Sequence, residues 1–107
     1  MANMRPDVPE TPARGFIRHV VFFNAKDIGD LDVIIEGLSM LAQISHARLF
    51  EVSKNRHVDS FSDEVEVVVY AEFNSQTDLT AYKNHPTYQA SIDAVRPLRD
   101  LRIAADF

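Results

Sequence analysis

Residues 16–25 read F-I-R-H-V-V-F-F-N-A, and the faces of this stretch decide the fold. β-branched and aromatic residues crowd it, and Gly15 and Asp27 bound it, so it is a strand. One face carries Ile17, His19, Val21 and Phe23. The other carries Phe16, Arg18, Val20 and Phe22. Both faces are largely apolar. A strand in a sheet with one wet face alternates more cleanly between apolar and polar residues. Something must therefore cover each face of this one.

Downstream, Leu31, Ile34, Ile35, Leu38, Leu41 and Ala42 recur at the 3–4 spacing of one helical face, which predicts an amphipathic helix over 31–44. Asp30 is the expected N-cap, its carboxylate accepting from the free amides of the first turn. Asp27 and Gly29 suit the turn before it. Gly37 inside the helix costs up to about 1 kcal/mol relative to Ala, which points to close packing there. Residues 47–54 predict a second strand, and the polar stretch 55–63 a loop. Residues 64–74 (E-V-E-V-V-V-Y-A-E-F-N) predict a third strand. Its Val65, Val67, Val69, Ala71 and Phe73 face belongs in the core. Its Glu64, Glu66, Val68, Tyr70 and Glu72 face mixes apolar and acidic groups, as a wet cavity or an interface would; the interface is preferred for Tyr70 and Glu72.

Ser75 opens a second helix, with Asp78 as a weak capping-box partner. Leu79 and Tyr82 face inward. Pro86 cannot donate to the carbonyl of Tyr82 and pushes His85 out of α geometry, yet it can begin a new helix. Tyr88, Ile92 and Val95 continue the apolar stripe until Pro97. Residues 101–107 alternate and form the last strand.

The order is β-α-β-β-α-β. This is the ferredoxin-like α+β pattern, a four-stranded antiparallel sheet with both helices on one face. That topology leaves the other face bare. A bare apolar face of several hundred Å² marks an interface, so two sheets packed face to face in a homodimeric barrel are expected. The folded domain spans 15–107. Pro6, Pro9 and Pro12 make 1–14 a flexible tail.

Composition narrows the function. The 107 residues suit one domain. A net charge of −5 with no dense Lys/Arg stripe argues against nucleic-acid and anionic-membrane partners. With no cysteine there is no disulfide framework, thiolate zinc site or thiol nucleophile. No apolar run nears the roughly 20 residues that span a bilayer, and no signal-peptide core opens the chain, so a cytoplasmic protein is expected. Three glycines leave no phosphate-binding loop.

Four segments carry a family likeness. They are I-R-H-V-V-F-F-N-A-K in the first strand; Leu38 to Ile44 with the later Phe50-Glu51-Val52; Phe73 leading to A-Y-K-N-H-P-T-Y; and the closing A-A-D-F. Together they make residues 16–107 resemble the stress-responsive A/B-barrel family. The resemblance implies a homodimer with a ligand-sized cavity in each subunit. Some plant members are polyketide cyclases that use a histidine base beside a tyrosine, without metal or cofactor. Related dimeric barrels include cofactor-independent monooxygenases. Tyr82 matches the family tyrosine, His85 the histidine of His-Pro, and Asp106 the closing aspartate. The cyclases' catalytic histidine falls three residues after His85, where this chain has Tyr88. A phenol with a reference pKa near 10 is a poor base at neutral pH, so that mechanism does not carry over unchanged.

The candidate catalytic residues are His19 and His85 as bases and Tyr82 as donor to a developing enolate. The candidate ligand-binding set is His19, Val21, Phe23, Tyr82, His85, Tyr88 and Asp106. Each has a structural alternative. His85 can cap a helix end, His19 can be a hydrogen-bonded wall residue, and Asp106 can pair with His19 or a helix end. His57 belongs to the solvated loop. His19, His85, Glu72 and Asp106 could in principle hold a metal, but no compact ligand motif exists, and neither metal nor cofactor is expected. The expected function is a homodimer that binds a small apolar or aromatic molecule. The alternatives are a cofactor-independent enzyme, either a cyclase-like lyase or a monooxygenase, and a stress-response dimer with a structural role alone.

Overall fold

In the computed structural model, strand β1 (Ile17–Phe23) lies at the centre of one sheet, flanked by β3 (Val67–Phe73) and β4 (Arg102–Asp106). Strand β2 (Leu49–Lys54) closes the far edge, giving the order β2-β3-β1-β4 with every neighbour antiparallel. Helices α1 (Leu31–Ser39), α2 (Gln76–Asn84) and α3 (Pro86–Val95) pack on one face. This is the ferredoxin-like α+β arrangement. The structure describes residues 15–61 and 63–107, and the expected tail at 1–14 lies outside them.

The helices settle which face of β1 they shelter. His19, Val21 and Phe23 are buried beneath them, together with Val67, Val69, Ala71 and Phe73 of β3. Ile34 and Leu38 of α1, Leu79 and Tyr82 of α2 and Val95 of α3 complete this core. The opposite face carries Val20, Phe22, Val68 and Tyr70, which are only half-buried. Leu49, Ile103 and Phe107 on that side remain 42%, 55% and 54% exposed. No element among the described residues covers them. Tyr70 and Glu72 share this open face, where the Tyr70 hydroxyl donates to Glu72 Oε2 at 2.7 Å.

Local chemistry explains where elements begin and end. Ser75 caps α2, its Oγ accepting from the Asp78 amide at 3.1 Å. Pro86 occupies the first turn of α3, and His85 before it is extended (φ −70°, ψ 139°). The second helical region is thus two helices, with the break where proline chemistry requires it.

Two expectations are corrected. The first helix is α only to Ser39 and continues as a 3₁₀ turn over Met40–Gln43, where the tighter i→i+3 pattern satisfies the last carbonyls. Asp30 makes no side-chain cap. It lies in a 3₁₀ turn over Ile28–Asp30, and Asp27 caps that turn by accepting from the Gly29 amide at 2.9 Å.

Gly37 marks a close helix contact. The Ser91 hydroxyl on α3 donates to the Gly37 carbonyl at 2.8 Å, and a Cβ at Gly37 would lie 2.9 Å from Val95 Cγ2. Overpacking costs about 1–3 kcal/mol, against a helix-propensity gain of up to about 1 kcal/mol. Gly37→Ala should therefore lower stability, by up to about 2 kcal/mol, in urea unfolding; a more stable variant would show that the helices can part freely.

Candidate functional site

Between the sheet and the α1/α3 pair lies a hollow of about 330 Å³, at the small end of the roughly 300–1,000 Å³ typical of ligand sites. Val21 and Phe23 of β1, Val69 of β3, Leu38, Leu41 and Val95 give it an apolar interior. Its polar groups are His19, Tyr82, Tyr88 and Ser91, together with Arg96, Arg99 and Arg102, of which Arg96 and Arg102 are exposed.

His19 is placed by strand register. It stands opposite Asp106 on β4, so both side chains project to the helix face. Its Nδ1 is hydrogen-bonded to Asp106 Oδ1. Burial pushes the imidazole pKa below its ordinary value, and the Asp106 hydrogen bond and charge pull it partway back; Lys83 and Arg102 act with burial. The ring is therefore neutral at neutral pH. A carboxylate only accepts, so Nδ1 keeps the proton and Nε2 carries the lone pair. A neutral imidazole held in one tautomer by a carboxylate is how a general base is oriented.

Tyr82 packs edge-on against Phe73 at 4.8 Å, Tyr88 at 5.3 Å and His19 at 6.4 Å between ring centres. Burial raises its phenol pKa far above the ordinary value, reinforced by Tyr88. Its hydroxyl therefore stays protonated and can donate a hydrogen bond, as an oxyanion partner must. The Tyr88 hydroxyl accepts a long hydrogen bond from Arg102 Nη2 at 3.4 Å.

The structure brings His19, Val21, Phe23, Tyr82 and Tyr88 into one hollow. Asp106 supports His19 without lining it. His85 lies apart from them: it is absent from the lining, and its Nδ1 accepts from the Thr87 amide at 3.1 Å to cap α3, the structural alternative. The extended backbone ahead of Pro86 turns the ring along the helix start, against His46. His85→Ala should cost about 1 kcal/mol in urea unfolding through the lost cap, with His85→Asn restoring it. An unchanged His85→Ala midpoint would deny the cap its weight. The metal set is also dispersed, since Glu72 is on the open sheet face. Among the described residues no group of three or more His, Asp or Glu side chains could hold a metal ion, and no helix is long and apolar enough to cross a membrane.

The sequence reading missed Ser91 and the three arginines. Ser91 looks like a neutral surface residue, and only the Gly37 contact shows it buried. The arginines did leave a trace, in R-P-L-R-D-L-R at 96–102, one at every third position.

Residues 17–107 match the family model described as the stress responsive A/B barrel domain. A dimeric protein of ferredoxin-like fold from Bacteroides fragilis is similar in structure, with a TM-score of 0.73 at 22% identity over 88% of this chain and 96% of that one. A Dabb family protein with a ferredoxin-like fold from Mesorhizobium loti gives 0.72 at 22% identity over 88% and 96%. The hydroxynitrile lyase of Passiflora edulis gives 0.72 at 16% identity over 86% and 91%. No curated protein sequence matches the chain significantly.

Proposed function

The chain belongs to the stress-responsive A/B barrel family, and from that premise we propose that it is a homodimer whose subunits each bind a small apolar or aromatic molecule in the pocket beside His19. The observation that carries this reading is a hollow with apolar walls into which one buried, carboxylate-oriented histidine and two tyrosines converge. Such a site suits a molecule that fills the interior with hydrocarbon and offers a few polar atoms to His19 and Tyr82. The dimer forms through the helix-free sheet face, where Leu49, Ile103 and Phe107 stand exposed. The protein from Bacteroides fragilis, which shares the fold and is dimeric, supports a homodimer.

Naphthol is a suitable probe, because it is aromatic, uncharged and small enough for the hollow. Isothermal titration should give saturable binding at one site per chain. Ile92→Trp, which fills the hollow from α3, should abolish it without unfolding the protein. Absence of saturable binding to the wild-type chain, or binding that survives Ile92→Trp, overturns the reading. A purely structural dimer is what the first of those results would leave.

The His19–Asp106 pair favours a second reading, cofactor-independent catalysis. A neutral base near a protonated phenol can take a proton from carbon beside a carbonyl while the phenol supports the enolate. The likeness to the Passiflora edulis hydroxynitrile lyase supports an enzyme on this fold. A methyl naphthyl ketone in D₂O should exchange its methyl hydrogens faster with the wild type than with His19→Ala. Equal rates would remove His19 as a base.

A further inference from the structure

We propose that Arg96, Arg99 and Arg102 make the mouth of the pocket an anion-binding rim, so that its ligand is an apolar molecule bearing a carboxylate. This rests on the reading that the pocket takes a small molecule. The chain is acidic overall, with 16 Asp and Glu against 11 Lys and Arg. Three of those 11 cations nevertheless line this one hollow.

Their placement follows from the backbone. Arg96 opens the 3₁₀ turn Arg96–Leu98, which follows directly on α3. Arg102 begins β4 opposite Phe23, and that register turns it to the helix face rather than the open one. The segment between them is tied down. Asn24 Oδ1 accepts from the amides of Asp100 at 2.9 Å and Leu101 at 2.7 Å, and the Lys26 amide donates to the Leu98 carbonyl at 2.8 Å. The guanidinium groups thus extend from a pinned loop.

No described residue neutralises them. Among the described residues no carboxylate lies within ion-pair distance of any of the three; the ion pairs involve His19, Arg48 and Lys54 instead. Arg102 spends one long hydrogen bond on Tyr88. Partial burial and the charges of Arg102 and Arg96 press the pKa of Arg99 below its ordinary value, a sign that the like charges act on one another. Clustered cations without a counter-charge repel, and an anion seated among them relieves that repulsion. Arginine's planar fork matches a carboxylate with two parallel hydrogen bonds. The apolar interior then requires the rest of the ligand to be hydrocarbon.

The test compares naphthoate with the isosteric, uncharged naphthamide by isothermal titration of the full chain. Naphthoate should bind about 10-fold more tightly, since a hydrogen bond to a charged group outweighs a neutral one by that order. Substituting all three residues (Arg96→Gln, Arg99→Gln, Arg102→Gln) should remove the preference, so that naphthoate and naphthamide bind the variant equally. Raising salt from about 0.05 M to about 0.5 M should weaken naphthoate alone, which provides a readout in the wild type that needs no variant. Equal affinities for the two probes, or a preference that survives both the substitutions and the salt, overturn the rim while leaving the pocket intact. Failure of naphthol, naphthamide and naphthoate alike overturns the pocket itself.

Discussion

Replacing Val20 by Asp should reduce the particle seen by light scattering from twice 12.1 kDa to 12.1 kDa, with the circular dichroism of the folded chain retained. Val20 sits on the central strand, paired with Tyr70 on one side and Ala105 on the other, and its side chain points away from the helices. In the isolated subunit this position is half-buried, and an aspartate there can reach water. Against a second sheet it cannot. Stable interfaces remove about 1,200–2,000 Å² from solvent, and an unpaired carboxylate at the centre of one costs several kcal/mol. At about 1.4 kcal/mol per factor of ten, dimerisation should weaken by at least about 100-fold. Val33→Asp is the control, because Val33 lies on α1 and is 51% exposed in the subunit. That change should leave the mass at the dimer value. If wild type and Val20→Asp give the same mass, the open face does not join two copies.

The second large effect concerns the partner of His19. Asp106→Ala should destabilise the chain by about 1–3 kcal/mol, the usual cost of leaving a buried donor without an acceptor. His19 is 2% exposed whereas the Asp106 side chain is 42% exposed, so the variant loses a hydrogen bond and leaves little cavity. The pH dependence carries the diagnostic sign. The folded-state pKa of His19 lies below its unfolded value near 6.5, chiefly through burial. The unfolded chain therefore takes up its proton first as pH falls. The stability associated with neutral His19 is fully present above about pH 6.5 and is lost as pH drops from there through the folded pKa. Without the Asp106 charge and hydrogen bond, the imidazole is pushed lower still. The window then extends to more acid pH and the loss deepens. Urea unfolding from about pH 8 down to about pH 5 should show a steeper acid decline in Asp106→Ala than in the wild type. Parallel curves would mean that the carboxylate has no hold on His19.

Much of the fold was legible because its signals are local. The alternation in β3, the capping Ser75 and the steric demands of Pro86 depend on residues within a turn or two, and each stands where the sequence put it. The open question in β1 was which apolar face meets the helices. No parity rule could answer it, since both faces are apolar for good reason: one lies under α1 and α3, and the other is the open face. The site was read less completely. His19 was visible as a polar side chain among core residues, and Tyr82 through its match to the family tyrosine. The bend of the chain at Pro86 decided against His85, because an extended residue at that point gives its ring nitrogen to the helix it precedes. The arginine rim was hidden by a whole-chain view of charge. A net of −5 says nothing about three cations that a 3₁₀ turn and a strand start bring to one hollow.

The central claim is that the ligand sits beside His19, between helices and sheet. Naphthol titrated into the full chain, labelled at the histidine ring nitrogens and the valine methyls, tests it directly by nuclear magnetic resonance. The His19 Nε2 signal and the methyls of Val21, Val69 and Val95 should move together, with Val20 and Val68 on the open face unmoved. Shifts confined to Val20 and Val68, with His19 still, would put the molecule on the other side of the sheet and contradict the claim.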